Sequence, residues 1–143
     1  MQLTRNTDYG LRLLMYLALL NDSQKANIDD LSSIYGVSRN NLNKLVHRLG
    51  KAGIIETKRG KGGGFRLAKA PEDLNLGELV ELLESTLQVV DCESPRCVIL
   101  PACRLKNILV KATESFLKTL HNYTLADLVE AKRQDLIEIL MVS

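Results

Sequence analysis

The stretch that most narrows the possible folds is ANIDDLSSIYGVSRNNLNKLVHRLGKAG, Ala26 to Gly53. It divides into two short helices about Gly36. Asn27 is expected to cap the first, with Asp29 and Asp30 in its opening turn, where the helix dipole favours anions. Ile28, Leu31 and Ile34 form its apolar stripe. Gly36 stands where the chain must turn through positive φ, Val37 plugs the corner, and Ser38 is positioned to cap the second helix. Leu42, Leu45, Val46 and Leu49 recur at i, i+3, i+4, i+7 and give that helix one buried face.

The other face of the second helix carries Arg39, Asn40, Asn41, Asn43, Lys44 and Arg48, and from Ser38 to Lys51 no acidic residue occurs. An ordinary surface helix more often pairs Glu with Lys at i, i+4. Arg and Asn instead have the geometry for bidentate contacts to guanine and adenine edges in a major groove. Ser38, Arg39, Asn40, Asn41, Asn43, Lys44 and Arg48 are therefore candidate DNA-binding residues. Charge agrees with this assignment. Residues 1–70 hold 12 Lys and Arg against 5 Asp and Glu, a net +7, whereas residues 71–143 hold 7 against 12, a net −5. A polyanion partner suits the first half and is repelled by the second.

Ahead of this motif, Asn6 or Thr7 is expected to cap a first helix that is apolar almost without interruption from Leu11 to Leu20. After it, IIETKRGKGGGFRLAK predicts two short strands, with Ile54 and Ile55 in the first, Phe65, Leu67 and Ala68 in the second, and a glycine-rich bend between. G-K-G-G-G lacks the P-loop spacing and precedes a strand, not a helix. With Lys58, Arg59, Lys61 and Arg66 around it, the hairpin is a basic wing suited to phosphates or a minor groove; Arg59 and Lys61 are its candidate DNA contacts. The expected fold is mainly α with a small β-hairpin: a winged helix-turn-helix over residues 1–70, then a helical dimerisation region over 71–143.

In that second region Asn75 and Glu78 form a capping-box pair before a helix ending near Ser85. Pro101 is expected to open a long helix, roughly 30 Å, that carries an apolar stripe to about His121 and pairs with its own copy in a homodimer. Thr124 and Asp127 cap a last helix, LADLVEAKRQDLIEIL, whose Leu125, Leu128, Val129, Leu136 and Leu140 can dock on the first half or on the partner.

Between these helices lies DCESPRCVILPACRL, with all three cysteines of the chain, Cys92, Cys97 and Cys103, in a loop over 91–104. An odd count disfavours a disulfide framework. A structural zinc site wants four ligands and usually a C-x2-C knuckle; a dithiol redox site wants C-x-x-C. Thiolates at x4 and x5 spacing, on a segment kept non-helical by Pro95 and Pro101, suit an iron–sulfur cluster, and Arg96, Arg104 and Lys106 are expected to offset its negative charge. The longest apolar run is eight residues, far short of the roughly 20 that cross a bilayer. No secretory signal opens the chain, so no membrane association and a cytoplasmic location are expected.

The stretches LTRNTDYGLR, YGVSRNNLNKLVHRLGKAG, RGKGGGFRL, C-x4-C-x5-C with PACRLK, and NYTLADLV together resemble the iron–sulfur winged-helix regulators over almost the whole chain. The likeness is greatest to the nitric-oxide-sensing repressors. The cluster-assembly branch of the family places a histidine ligand three residues after the last cysteine, where this chain has Lys106. The resemblance implies a homodimeric repressor, not an enzyme, that binds an inverted-repeat operator in double-stranded DNA until nitric oxide attacks its cluster. It also implies that Asp8 of the other subunit is the fourth metal ligand beside Cys92, Cys97 and Cys103. A [4Fe-4S] cluster suits three cysteines and a carboxylate better than [2Fe-2S]. A regulator of the same family answering another signal, or a cluster-free cysteine-metabolism repressor, is the alternative.

Overall fold

In the computed structural model, which describes residues 1–141, the first three helices and the hairpin follow the expected order; the last two residues of the 71–143 region lie outside the described residues. Helix α1 spans Arg5–Ala18, α2 spans Ile28–Tyr35 and α3 spans Arg39–Lys51. Asn27 and Ser38 cap α2 and α3 as expected, each accepting a backbone N–H from three residues on, and Gly36 adopts φ +65 between them. The first cap differs. Thr4, not Asn6 or Thr7, accepts the N–H of Thr7, because the side chains of Asn6 and Thr7 are spent on contacts with a later helix.

Strands β1 (Ile55–Lys58) and β2 (Gly64–Leu67) pair antiparallel, with Ile55 opposite Leu67 and Lys58 opposite Gly64. Phe65 also exchanges two backbone hydrogen bonds with Ala26, at 2.8 and 2.9 Å, so the wing is stitched to the segment before α2. Gly64 permits this approach: a Cβ there would lie 2.5 Å from the Ala26 carbonyl oxygen.

Helix α4 (Leu76–Leu83) starts at Asn75, whose side chain accepts the Glu78 N–H. Only that half of the capping box forms, and the Asn75 side-chain amide donates to the His121 carbonyl. Helix α5 runs Leu105–Leu120. Pro101 lies apart from it in a 3-10 turn, Leu100–Ala102, because extended backbone at Cys103 interrupts the helix; α5 is about 24 Å long, shorter than expected. The last predicted helix is also divided. Its Thr124–Asp127 capping box forms, but α6 (Leu125–Val129) gives way to a 3-10 turn over Glu130–Lys132 as the Val129 side chain stays buried, and α7 restarts at Arg133–Met141.

One hydrophobic core joins both halves. Leu13, Leu14 and Leu17 of α1 meet Leu31, Leu42, Leu45, Leu49 and Phe65, and the same core takes in Leu79 and Leu83 of α4 and Leu125 and Val129 of α6. Each buried leucine contributes about 1.5–3 kcal/mol relative to exposure. Of the two docking surfaces open to the last helices, the structure uses the first half: the Arg133 guanidinium donates to the Ala18 and Leu19 carbonyls at the end of α1. No helix among the described residues is long and apolar enough to cross a membrane.

Candidate nucleic-acid interface and cysteine loop

Burial of Leu42, Leu45, Val46 and Leu49 turns the opposite face of α3 to solvent, where Arg39, Asn40, Asn41, Asn43, Lys44 and Arg48 all stand exposed. They are not equivalent. Arg39 is paired with Asp29 of α2 at 2.5 Å, and Arg48 donates to the Leu82 carbonyl at the end of α4, also at 2.5 Å. Among the described residues, the side chains of Asn40, Asn41, Asn43 and Lys44 meet no hydrogen-bond or ionic partner. On the wing, Lys58, Arg59 and Lys61 are exposed, whereas Arg66 is turned back onto Glu56 and the Asp22 carbonyl. Three of the four wing cations therefore remain available to a polyanion.

A recess of about 400 Å³ opens where the starts of α1 and α3 meet, lined in part by Arg5, Tyr9, Ser38, Asn41 and Lys44. Arg5 and Tyr9 were not among the residues picked from sequence. Nothing local marks them; they join α3 only through the packing of α1.

The end of α4 is equally invisible in the sequence. Three consecutive residues there grip α1 and α3: the Leu82 carbonyl holds Arg48 of α3, the Leu83 carbonyl accepts from the Asn6 amide at 2.9 Å, and the Glu84 carboxylate accepts from the Thr4 N–H and from both the Thr4 and Thr7 hydroxyls. Thr7 is fully buried, so Glu84 satisfies a hydroxyl that water does not reach. An anion at the start of α1 also complements the helix dipole.

Beyond Glu84 the chain passes into the cysteine loop. The Asp91 carboxylate accepts the N–H groups of Glu93 and Ser94, Glu93 bridges Arg96, and the Cys97 N–H donates to the Cys92 carbonyl at 2.9 Å. Two further turns, Leu100 to Cys97 and Cys103 to Leu100, carry the chain to the third cysteine. All three thiols are free and half-buried. Lys106 lies 3.8 Å from Glu93, so its charge is shared with a carboxylate. Asp8 stands elsewhere, on α1, gripped by Arg12 through two contacts of 2.8 and 3.0 Å; Arg12 lies over the Tyr9 ring, and its carbonyl accepts from Tyr35. Burial of that phenol pushes its pKa up to about 12 although Arg12 opposes the shift.

The donor set, three unpaired thiols on one non-helical loop, fits an iron–sulfur cluster. The geometry is open: among the described residues no three His, Cys, Asp or Glu are gathered closely enough to hold a metal ion. Cys92, Cys97 and Cys103 share a loop but do not converge, and Asp8 is not brought to them within one chain.

The model of a family described as Rrf2, iron-dependent transcriptional regulator, matches residues 3–131. Among solved structures, the chain is similar to IscR of T. potens, at 24% identity over 94% of this chain and 90% of that one, with a TM-score of 0.75. It is similar also to the oxidised form of Staphylococcus aureus CymR, at 26% identity, 87% and 93% coverage and a TM-score of 0.70. A third likeness is to CymR of B. subtilis, described as a global cysteine regulator, at 22% identity, 92% and 98% coverage and a TM-score of 0.75.

Proposed function

The chain belongs to the Rrf2 family of transcriptional regulators, and on that premise we propose that it is a homodimeric repressor which senses nitric oxide through an iron–sulfur cluster, in the manner of NsrR. As a transcriptional regulator it is not an enzyme. Cys92, Cys97 and Cys103 of one subunit and Asp8 of the other would hold the cluster, [4Fe-4S] in preference to [2Fe-2S]. When bound, the cluster supplies iron that reacts with nitric oxide. Ser38, Arg39, Asn40, Asn41, Asn43, Lys44 and Arg48 of α3, with Arg59 and Lys61 of the wing, face the operator.

The observation that carries this proposal is the route from the loop to the DNA face. Six residues, Ser85 to Val90, join the cysteine loop to Leu82, Leu83 and Glu84, which grip Arg48 on α3 and Thr4, Asn6 and Thr7 on α1. A loop held in one conformation therefore favours one placement of α3. A two-fold operator requires the two recognition helices at a separation of about 34–36 Å, so releasing the loop shifts the dimer away from the DNA-competent population. Arg12 must yield Asp8 for Asp8 to serve as a ligand, which makes their ion pair the local competitor of the metal.

Anaerobic purification with iron and sulfide counts, followed by operator titration with and without nitric oxide, tests the proposal. Tight binding that nitric oxide weakens at least tenfold is the expected result; equal binding in all states overturns it. The likeness to CymR and the open arrangement of the thiols favour a second reading, a cluster-free repressor or one of the same family with a different signal. Full operator affinity in a colourless, iron-free protein selects it.

A further inference from the structure

Cys92 and Cys97 differ from Cys103 in where the backbone puts them. Glu93 and Arg96 form an antiparallel bridge, and the Cys97 N–H donates to the Cys92 carbonyl, so these two cysteines stand opposite each other one rung from a tight turn. The turn is pinned by the Asp91 carboxylate, which accepts from Glu93 and Ser94. Directly opposed residues of an antiparallel ladder send their side chains to the same face, with Cα atoms about 4.5–5.5 Å apart. Disulfides form at Cα separations of about 4.4–6.8 Å. Cys103 lies beyond two further turns, on extended backbone just before α5.

We propose that Cys92 and Cys97 are a redox couple in their own right: in the cluster-free chain a hydroperoxide oxidises them to a disulfide within the loop, and Cys103 stays reduced. One thiolate attacks a peroxide oxygen; the O–O bond breaks, a sulfenic acid forms and water leaves. The second thiolate attacks that sulfur, the S–S bond forms and the sulfenic oxygen departs as another water. Two thiols and one hydrogen peroxide thus give one disulfide and two waters, with two electrons passing from sulfur to oxygen. The four intervening residues hold the second thiol close to the first, which favours closure over exchange with other molecules.

A further consequence, resting on the cluster reading above, is that the disulfide withholds two of the three thiolates and bars cluster loading until it is reduced. The full chain, prepared cluster-free and reduced, is treated with stoichiometric hydrogen peroxide, its remaining thiols are trapped with a maleimide, and its peptides are mapped without reduction. A Cys92–Cys97 linked peptide with Cys103 labelled is expected in wild type, and Cys103→Ser is expected to form the same link. Links to Cys103, links between subunits, or oxidation without any link overturn the couple. Iron and sulfide reconstitution then separates the two ideas. Oxidised protein should stay colourless until dithiothreitol is added. Equal loading of oxidised and reduced protein removes the barrier to loading, whereas a mapped disulfide in a chain that never loads iron counts against the cluster reading and leaves the couple standing.

Discussion

Residues 1–70 and the arm from Ser85 to Leu120 are both rich in apolar side chains, yet only the first is finished within one chain. Leu13, Leu31, Leu42, Leu45 and Leu49 are at most 2% exposed, while nothing from Ser85 to Leu120 is buried: Leu105 and Ile108 are 55% and 54% exposed, and Val98 is 94% exposed. An apolar stripe is a demand for a partner surface. In α1 to α3 the demand is met by neighbours in the chain; in α5 it is left for another molecule, as the proposed homodimer requires.

The sharpest way to break this contrast is to truncate one side chain in each region. Leu49→Ala should cost about 2–5 kcal/mol in urea unfolding, because it opens a cavity in a closed core. Ile108→Ala should cost less than about 1 kcal/mol in a dilute, monomeric sample but weaken self-association in sedimentation equilibrium. Equal losses of folding stability would mean α5 is packed after all. Next in size, Glu84→Ala removes the acceptor of the buried Thr7 hydroxyl and should cost about 1–3 kcal/mol, with operator affinity falling as α1 and α4 loosen; affinity that stays constant would detach the α4 end from DNA binding. Smaller still for stability, Asn43→Ala and Lys44→Ala should leave unfolding within about 0.5 kcal/mol of wild type. Asn43→Ala should cost about 1–3 kcal/mol of base discrimination, and Lys44→Ala should lower the salt dependence of binding by about one unit of slope. Tyr35 has no such effect near neutral pH and matters only in alkaline solution. Its folded pKa lies above the ordinary 10, so its contribution is intact below pH 10 and is lost as pH climbs towards about 12. Thermal melts across that window should fall more steeply for wild type than for Tyr35→Phe.

Legibility in the sequence follows the same division. The caps at Asn27 and Ser38, the turn at Gly36 and the α3 stripe were readable because each rests on residues three or four apart. The Thr4 cap, the break after Val129 and the displaced start of α5 were not, since they depend on Glu84, on burial against α1 and on the backbone at Cys103. The exposed residues of α3 were identified correctly as a face, but sequence did not show that Arg39 and Arg48 are held by Asp29 and Leu82. The cysteines drew notice by clustering; the opposition of Cys92 and Cys97 appears only in the backbone pairing.

Arg133 closes the carbonyl end of α1, and Leu125 and Val129 fill the core beside it, across more than a hundred residues of chain. For a chain emerging from the ribosome, the first helix made is thus among the last completed. Until those C-terminal residues emerge, the Ala18 and Leu19 carbonyls lack the Arg133 donor and the core beside α1 lacks Leu125 and Val129, so the cysteine loop is synthesised before α1 has all its partners.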